Sequence, residues 1–220
     1  MEWSDDAIVL SVKPLGESGA VVEALPRNYG RHAGLVRGGA SRKMKPVLQP
    51  GNTLHVQWRA RLSEHLGSYS VELARARAGS LMDARESLVG LNAFHAVASA
   101  SLPEREAHAP VFEAGQILLD AMMEDGLDHW GALYVRWEAG LLDALGFGLD
   151  LSECAATGTT DDLVYVSPRS GRAVSRAAGA IYKERLFALP AFLLGSQNPI
   201  TPDYIRAGLR LTEYFLHERV

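Results

Sequence analysis

A single cysteine, Cys154, is all the chain carries in 220 residues. No intramolecular disulfide can form, and the expectation is a protein of a reducing cytoplasm. No run approaches the roughly 18 apolar residues that a membrane helix needs, so no membrane partner is expected. The start, MEWSDDAIVL, lacks a positive n-region and a long apolar stretch, and does not read as a secretory signal. The seven histidines are scattered without metal-ligand spacing such as HExxH. There is no Walker loop and no GxGxxG, and the GFG at 146–148 reads as a helix stop. No motif pairs Cys154 with a base, and Ser41, beside Arg42 and Lys43, has no evident general base. These absences point away from an enzyme: no catalytic residue, metal or cofactor is assigned.

The most informative absence is of acids. No Asp or Glu lies between Glu23 and Glu64, although the chain holds 26 of them. That stretch carries Arg27, Arg31, Arg37, Arg42, Lys43, Lys45, Arg59 and Arg61. Residues 1–80 hold 11 Lys/Arg against 7 Asp/Glu, net +4, while residues 81–220 hold 11 against 19, net −8. Such asymmetry predicts two parts, one suited to a polyanion. At 47% apolar and 22% charged residues the chain is otherwise ordinary for a globular protein.

What is present sorts into strands and then helices. AIVLSVK (7–13), AVVEALP (20–26), AGLVRG (33–38), NTLHVQWRA (52–60) and GSYSVELA (67–74) read as strands separated by glycine and proline. Five strands in about 75 residues fit a small barrel of the oligonucleotide-binding (OB) type. In NTLHVQWRAR, Leu54, Val56 and Trp58 share one face and His55, Gln57, Arg59 and Arg61 the other. The apolar face, Trp58 included, is expected in the core, leaving the arginines outward. From Ser80 the period becomes helical. One helix is expected over 80–102, a second over 111–123 with Ile117, Leu118 and Met122 inward, and a third over 128–148. A hairpin follows at 163–175, turning at Pro168 and Gly171. A last helix opens at Thr201-Pro202, a cap followed by proline at the first helical position. The expected fold class is α+β, with a barrel domain over 1–79 and an α-helical domain over 80–220.

Three segments resemble one known family. YGRHAGLVRGGASRKMKPVLQPGN (Tyr29–Asn52) resembles a glycine-basic-serine-basic segment ending in LQP. VRWEAGLLDALGFGLDLSECAATG (Val135–Gly158) is similar to a helix followed by an LG-aromatic-x-LDL-x-x-C segment. VYVSPRSGRAVS (Val164–Ser175) is similar to an SP-[KR]-SG hairpin. Together, and in this order, they resemble the RecO family of recombination mediators. The resemblance implies an N-terminal OB barrel, an α-helical domain, and a non-enzymatic role in recombination and repair at the nucleoid. It further implies binding of single- and double-stranded DNA, strand annealing, capture of the acidic tail of single-stranded DNA-binding protein (SSB), and loading of RecA with RecR. Many members carry a zinc knuckle of two CxxC pairs. Here the first pair reads Cys154-Ala155-Ala156-Thr157, and the second pair's places are Ser175 and Ala178. Structural zinc needs four good N or S ligands, so a degenerate, metal-free zinc-ribbon-like hairpin is expected.

The expected DNA contacts are Arg31, Arg37, Arg42, Lys43 and Lys45, with Arg59 and Arg61 behind them, acting on phosphate charge. Gly30, Gly34, Gly38 and Gly39 would let backbone N–H groups approach phosphates. Tyr29 is open to two readings, stacking a base or packing on the barrel. On the third helix, Trp130, Leu133, Arg136 and Trp137 are open to two readings: the aromatics and leucine belong to the core with Arg136 paired to a helix acid, or they form a groove for the SSB tail with Arg136 gripping a terminal carboxylate. The alternative reading is an RNA-binding OB protein with a helical interaction module, because phosphate contacts read neither base nor sugar.

Overall fold

The structure is a computed structural model of the whole chain and describes every residue except Ser63, Asp125 and Gln197. Five strands come first along the chain: β1 (Glu2–Leu15), β2 (Gly19–Pro26), β3 (His32–Val36), β4 (Thr53–Arg59) and β5 (Ser68–Arg75). They close into a barrel in the order β1-β2-β3-β5-β4. β1 runs well beyond the expected 7–13 because it serves two neighbours in turn. Its residues 2–8 pair with β4 and its residues 7–15 with β2. The parallel β3–β5 pair, Leu35 opposite Ser68, shuts the ring.

The alternation expected for β4 holds: Leu54, Val56 and Trp58 are buried, and His55 and Arg59 are exposed. Ala7, Val9, Val22, Val36 and Tyr69 complete the interior with them. A bulge between Val9 and Ser11 gives β1 an extra residue. Ile8 and Leu10 are buried as completely as their inward neighbours. Ile8 meets the Gly115 position of a helix lying against the barrel wall, at 3.4 Å from where a Cβ would stand.

That helix is α3 (Ala109–Glu124), preceded by α1 (Ala78–Asp83) and α2 (Arg85–Ser101). The single helix expected over 80–102 is therefore two, broken at Ala84, whose φ −108° and ψ 122° are extended. Leu81 and Leu91 would stand about 80° apart on one straight helix, ten residues at 100° each. With the break, both converge on Gly51, lying 3.2 and 3.0 Å from where a Cβ would stand. Ile117 is 61% exposed, against expectation. The buried face of α3 follows Val111, Phe112, Gly115, Leu118, Leu119 and Met122, a 3–4 spacing from which position 117 falls out.

By compactness the chain divides after Glu124, whereas the sequence placed the boundary at 79/80. A buried cation ties the barrel to α3 within the first unit. Arg77, 1% exposed, donates from Nε to Asp120 at 2.5 Å, from Nη1 to Thr53 at 2.6 Å, and from Nη2 to Gln116. Barrel strand and helix α3 share one polar network.

The second unit holds α4 (Leu127–Ala144), β6 (Leu163–Val166), β7 (Ala173–Ser175), the short α5 (Arg176–Gly179), β8 (Phe187–Ala188) and α6 (Pro202–Arg219), with 3-10 turns at Ala180–Arg185 and Ala191–Leu194. The expected hairpin is β6–β7, and β8 adds a third strand in the order β7-β6-β8. Thr201 caps α6, accepting from Tyr204 N at 3.3 Å. Leu142, Val166, Ala173, Leu211 and Phe215 form the core here.

Candidate nucleic-acid interface

The connection from β3 to β4 carries most of the positive charge, and its shape follows from which residues it buries. Ser41 and Met44 carbonyls accept from Lys45 N at 3.0 Å and Leu48 N at 2.9 Å, so the chain makes two helical turns. Leu48 is 2% exposed in the barrel core, with Met44 and Val47 packed beside it. Arg42, Lys43 and Lys45 occupy the intervening positions and are exposed. Asn52 fixes the loop's base: its Nδ2 donates to Pro46 O at 2.9 Å and Val47 O at 3.1 Å. Its Oδ1 accepts from Arg77 N and Ala78 N at 2.8 and 3.0 Å.

The expected DNA contacts split into two groups. Arg37, Arg42, Lys43, Lys45 and Arg61 are exposed and carry no ion pair among the described residues. Arg31 is different. Its side chain is 17% exposed, is paired with Glu23, and donates from Nε to Leu102 O at 2.9 Å. It holds the barrel to the end of α2 and is not available to phosphate. Arg59 is 63% exposed, but its guanidinium meets Glu2 at 2.7 Å, its cross-strand partner on β1. His55 likewise meets Asp6 at 3.0 Å. The outward face of β4 is therefore neutralised by β1.

The glycines are also reassigned. A Cβ at Gly30 would lie 2.0 Å from the Glu106 carbonyl oxygen, at Gly34 2.4 Å from the Tyr69 ring, and at Gly39 2.7 Å from Ala20. All three admit protein rather than phosphate. Gly38, at φ +72°, has nothing within 4 Å and alone of the four keeps its expected freedom. Tyr29 stacks on Trp3 with ring centroids 4.2 Å apart and planes 8° from parallel, and remains 38% exposed. Behind this pair His32 lies edge-on to Trp3 and Trp58. Burial there lowers its pKa and keeps the imidazole neutral.

Two clefts flank the basic loop, and both include Lys45 and Gln49. One, of about 470 Å³, lies between the β1–β2 turn and the loop. The other, about 480 Å³, has walls from Val47, Leu73, Ala78 and Met82. Sequence reading missed the β1–β2 contribution, because Val12, Pro14 and Glu17 carry no motif and meet the loop only once the barrel closes.

Combined charge changes the picture further. Residues 1–124, the first compact unit, hold 13 Lys/Arg against 14 Asp/Glu, net −1. The +4 of the first eighty residues is offset by acids on the helices: Glu113 pairs with Arg27, and Asp120 with Arg75 and Arg77. The unpaired positive charge of the acid-free segment sits on the β3–β4 loop and at Arg61 just past β4, not across a domain.

In the second unit, Trp130 and Trp137 are 6% and 2% exposed and belong to the core, so they cannot wall an open groove. Helix α4 turns Leu133, half-buried, and Arg136, exposed, toward the surface. Arg136 donates to Phe192 O at 2.9 Å, with its guanidinium 5.9 Å from the Phe192 ring centroid. Beside the β6–β7 hairpin, Cys154 Sγ accepts from Ser175 N at 3.3 Å. Burial opposes ionisation of this thiol, but hydrogen bonds from Thr157 and Ser175 outweigh it and bring the pKa down to about 6. The Ser175 hydroxyl caps α5 by accepting from Ala178 N at 3.4 Å. Cys154, Thr157, Ser175 and Ala178, the four positions compared with a zinc knuckle, thus all take part in local hydrogen bonds.

A family description of the recombination protein O N-terminal region matches residues 1–77, and one of its C-terminal region matches residues 82–220. The chain belongs to the RecO family. It is 50% identical to the DNA repair protein RecO of Rhodospirillum rubrum over 224 residues, covering 100% of this chain and 89% of that one. With the RecO of Phenylobacterium zucineum it shares 53% over 216 residues, 98% and 88% of the two chains. With that of Caulobacter vibrioides NA1000 it shares 51% over 220 residues, 100% and 90%. RecO proteins are recombination mediators and not enzymes, and the role of this one lies in DNA repair. The two RecO regions meet between residues 77 and 82, whereas the compact units meet after Glu124. No described helix is long and apolar enough to cross a membrane.

Proposed function

We propose that the barrel, residues 1–79, is an OB module that binds single- and double-stranded DNA through Arg37, Arg42, Lys43, Lys45 and Arg61. The strand order supports the OB reading, as does the position of the basic loop next to the β1–β2 turn, one of the loops through which OB folds hold oligonucleotides. The observation that carries the reading is the concentration of four exposed cations without a carboxylate partner, Arg37, Arg42, Lys43 and Lys45, in one connection, whereas Arg27, Arg31, Arg59, Arg75 and Arg77 each have one. Their contacts go to phosphate, so binding follows charge and not sequence. Annealing follows from weakening the repulsion between complementary strands, with no covalent step. The residues from 80 onward recruit partners: the acidic tail of SSB, RecR, and through RecR the loading of RecA on SSB-coated DNA at the nucleoid. For the tail, Leu133 and Arg136 are the accessible part of α4. The test is oligonucleotide anisotropy across a salt series, comparing wild type with Arg42, Lys43 and Lys45 changed together to glutamine. The folded triple variant loses affinity and salt sensitivity. Unchanged affinity with an unchanged salt slope would remove the loop from the interface.

A further inference from the structure

Phosphate contacts explain affinity for any strand, single or paired, but the cleft beside the loop calls for another occupant. We propose that this cleft, between the β1–β2 turn and the β3–β4 loop, receives one unstacked base of a single strand; the proposal rests on the reading of the loop as a phosphate contact. The cleft holds about 470 Å³, within the roughly 300–1,000 Å³ of small-ligand sites. Val12, Pro14 and Leu48 give it apolar walls, while Glu17, Lys45 and Gln49 supply polar groups. That mixture suits a heterocycle, whose faces are apolar and whose edge bears donors and acceptors. It does not suit phosphate, because Glu17 would face it. Lys45 joins the two functions, lining the cleft on the same helical turns that expose Arg42 and Lys43. A strand whose phosphates follow the loop cations therefore has a base within reach of the cleft. In a duplex that base is paired and stacked, and the cleft stays unused.

The consequence is a preference that charge cannot produce. A short oligodeoxycytidylate and an abasic chain of equal length present the same phosphates and differ only in bases. Wild-type protein binds the first about tenfold more tightly, which is 1.4 kcal/mol at 25 °C. Ala40 lines the cleft, and Ala40→Leu narrows it with an aliphatic side chain that offers no ring for stacking. The narrowed variant loses most of this preference, while its duplex affinity and salt slope stay at the wild-type values. Equal wild-type binding of the two chains overturns the proposal, and so does an undiminished ratio in a folded Ala40→Leu protein. The wild-type ratio decides the matter even where the variant fails to fold. Failure of the underlying reading is distinct: then the oligomer, the abasic chain and the duplex all bind without salt dependence.

Discussion

Single-charge neutralisations at Lys43, Arg59 and Arg31 separate a free cation from a paired one, although all three lie in the same acid-free stretch. Lys43 is exposed on the loop without an ion pair. If it neutralises one phosphate, Lys43→Gln flattens the logarithmic salt slope for a single strand by about 0.7. Between 50 and 200 mM salt, wild-type affinity then falls about 2.6-fold further than that of the variant, by the same slope. Arg59 is held by Glu2 at 2.7 Å, so Arg59→Gln removes a charge already offset and changes the slope far less. Arg31→Gln leaves the slope alone and acts on the fold, because Glu23 and the Leu102 carbonyl lose a largely buried partner. That loss costs about 1–3 kcal/mol, read as a lower urea midpoint. Anisotropy at four or more salt concentrations, with urea unfolding on the same samples, gives both quantities. The reasoning is refuted if Arg31→Gln or Arg59→Gln flattens the slope as much as Lys43→Gln does, or if Lys43→Gln leaves it untouched.

Arg77→Ala should destabilise the protein by about 3 kcal/mol, the low end for breaking a buried ion pair, because Arg75 still partners Asp120 at 2.9 Å; a urea midpoint at the wild-type value would contradict the network. Glu138 is buried beside Thr212, and burial lifts its pKa from 4.5 to about 7. Its contribution is therefore full below about pH 4.5, where folded and unfolded chains both hold the proton, and is lost as pH rises through 7. That difference amounts to roughly 3 kcal/mol, so unfolding at pH 5 and pH 8 should differ more for wild type than for Glu138→Gln, and equal differences would refute it. Purified protein should hold far less than the roughly one equivalent of zinc that a four-ligand site binds; a full, tightly held equivalent by metal analysis would overturn the metal-free hairpin. Arg136→Ala should weaken binding of an SSB-tail peptide severalfold, as loss of a charge-assisted contact does; unchanged titration calorimetry on a folded variant would move the tail site elsewhere.

The strands were legible because a half-buried strand writes its two faces into alternate residues, as Leu54, Val56 and Trp58 do against His55 and Arg59. Helix content was legible from spacing, but the break at Ala84 was not. It accompanies a distant contact, the meeting of Leu81 and Leu91 at Gly51 just before β4. Ile117 was misplaced for another reason: its apolar character suggests a core position that the turn of α3 does not give it. Trp130 and Trp137 were legible as apolar anchors, but not the degree of their burial, which depends on what packs over α4. Arg77 was not legible either: a linear reading assigns this cation to the surface, and the fold assigns it to a network with α3.

The basic segment shows how far a charge pattern can be trusted. Its lack of acids is a fact about neighbours along the chain, whereas pairing is decided by neighbours across it. β1 brings Glu2 and Asp6 opposite Arg59 and His55 in register, while Glu23 of β2 reaches Arg31, and Glu113 of α3 reaches Arg27. Strand neighbours supply partners to Arg31, Arg59 and His55, though not to every strand cation, since Lys13 of β1 has no ion pair among the described residues. The β3–β4 connection has no strand paired with it, and Arg37, Arg42, Lys43 and Lys45 carry no ion pair among the described residues. By the same criterion Arg61, exposed just past the end of β4, belongs with Lys43 and not with Arg59 two residues earlier. Arg61→Gln should therefore flatten the salt slope by about 0.7 as well, and an effect no larger than that of Arg59→Gln would show that freedom from cross-strand partners is not what selects a contact.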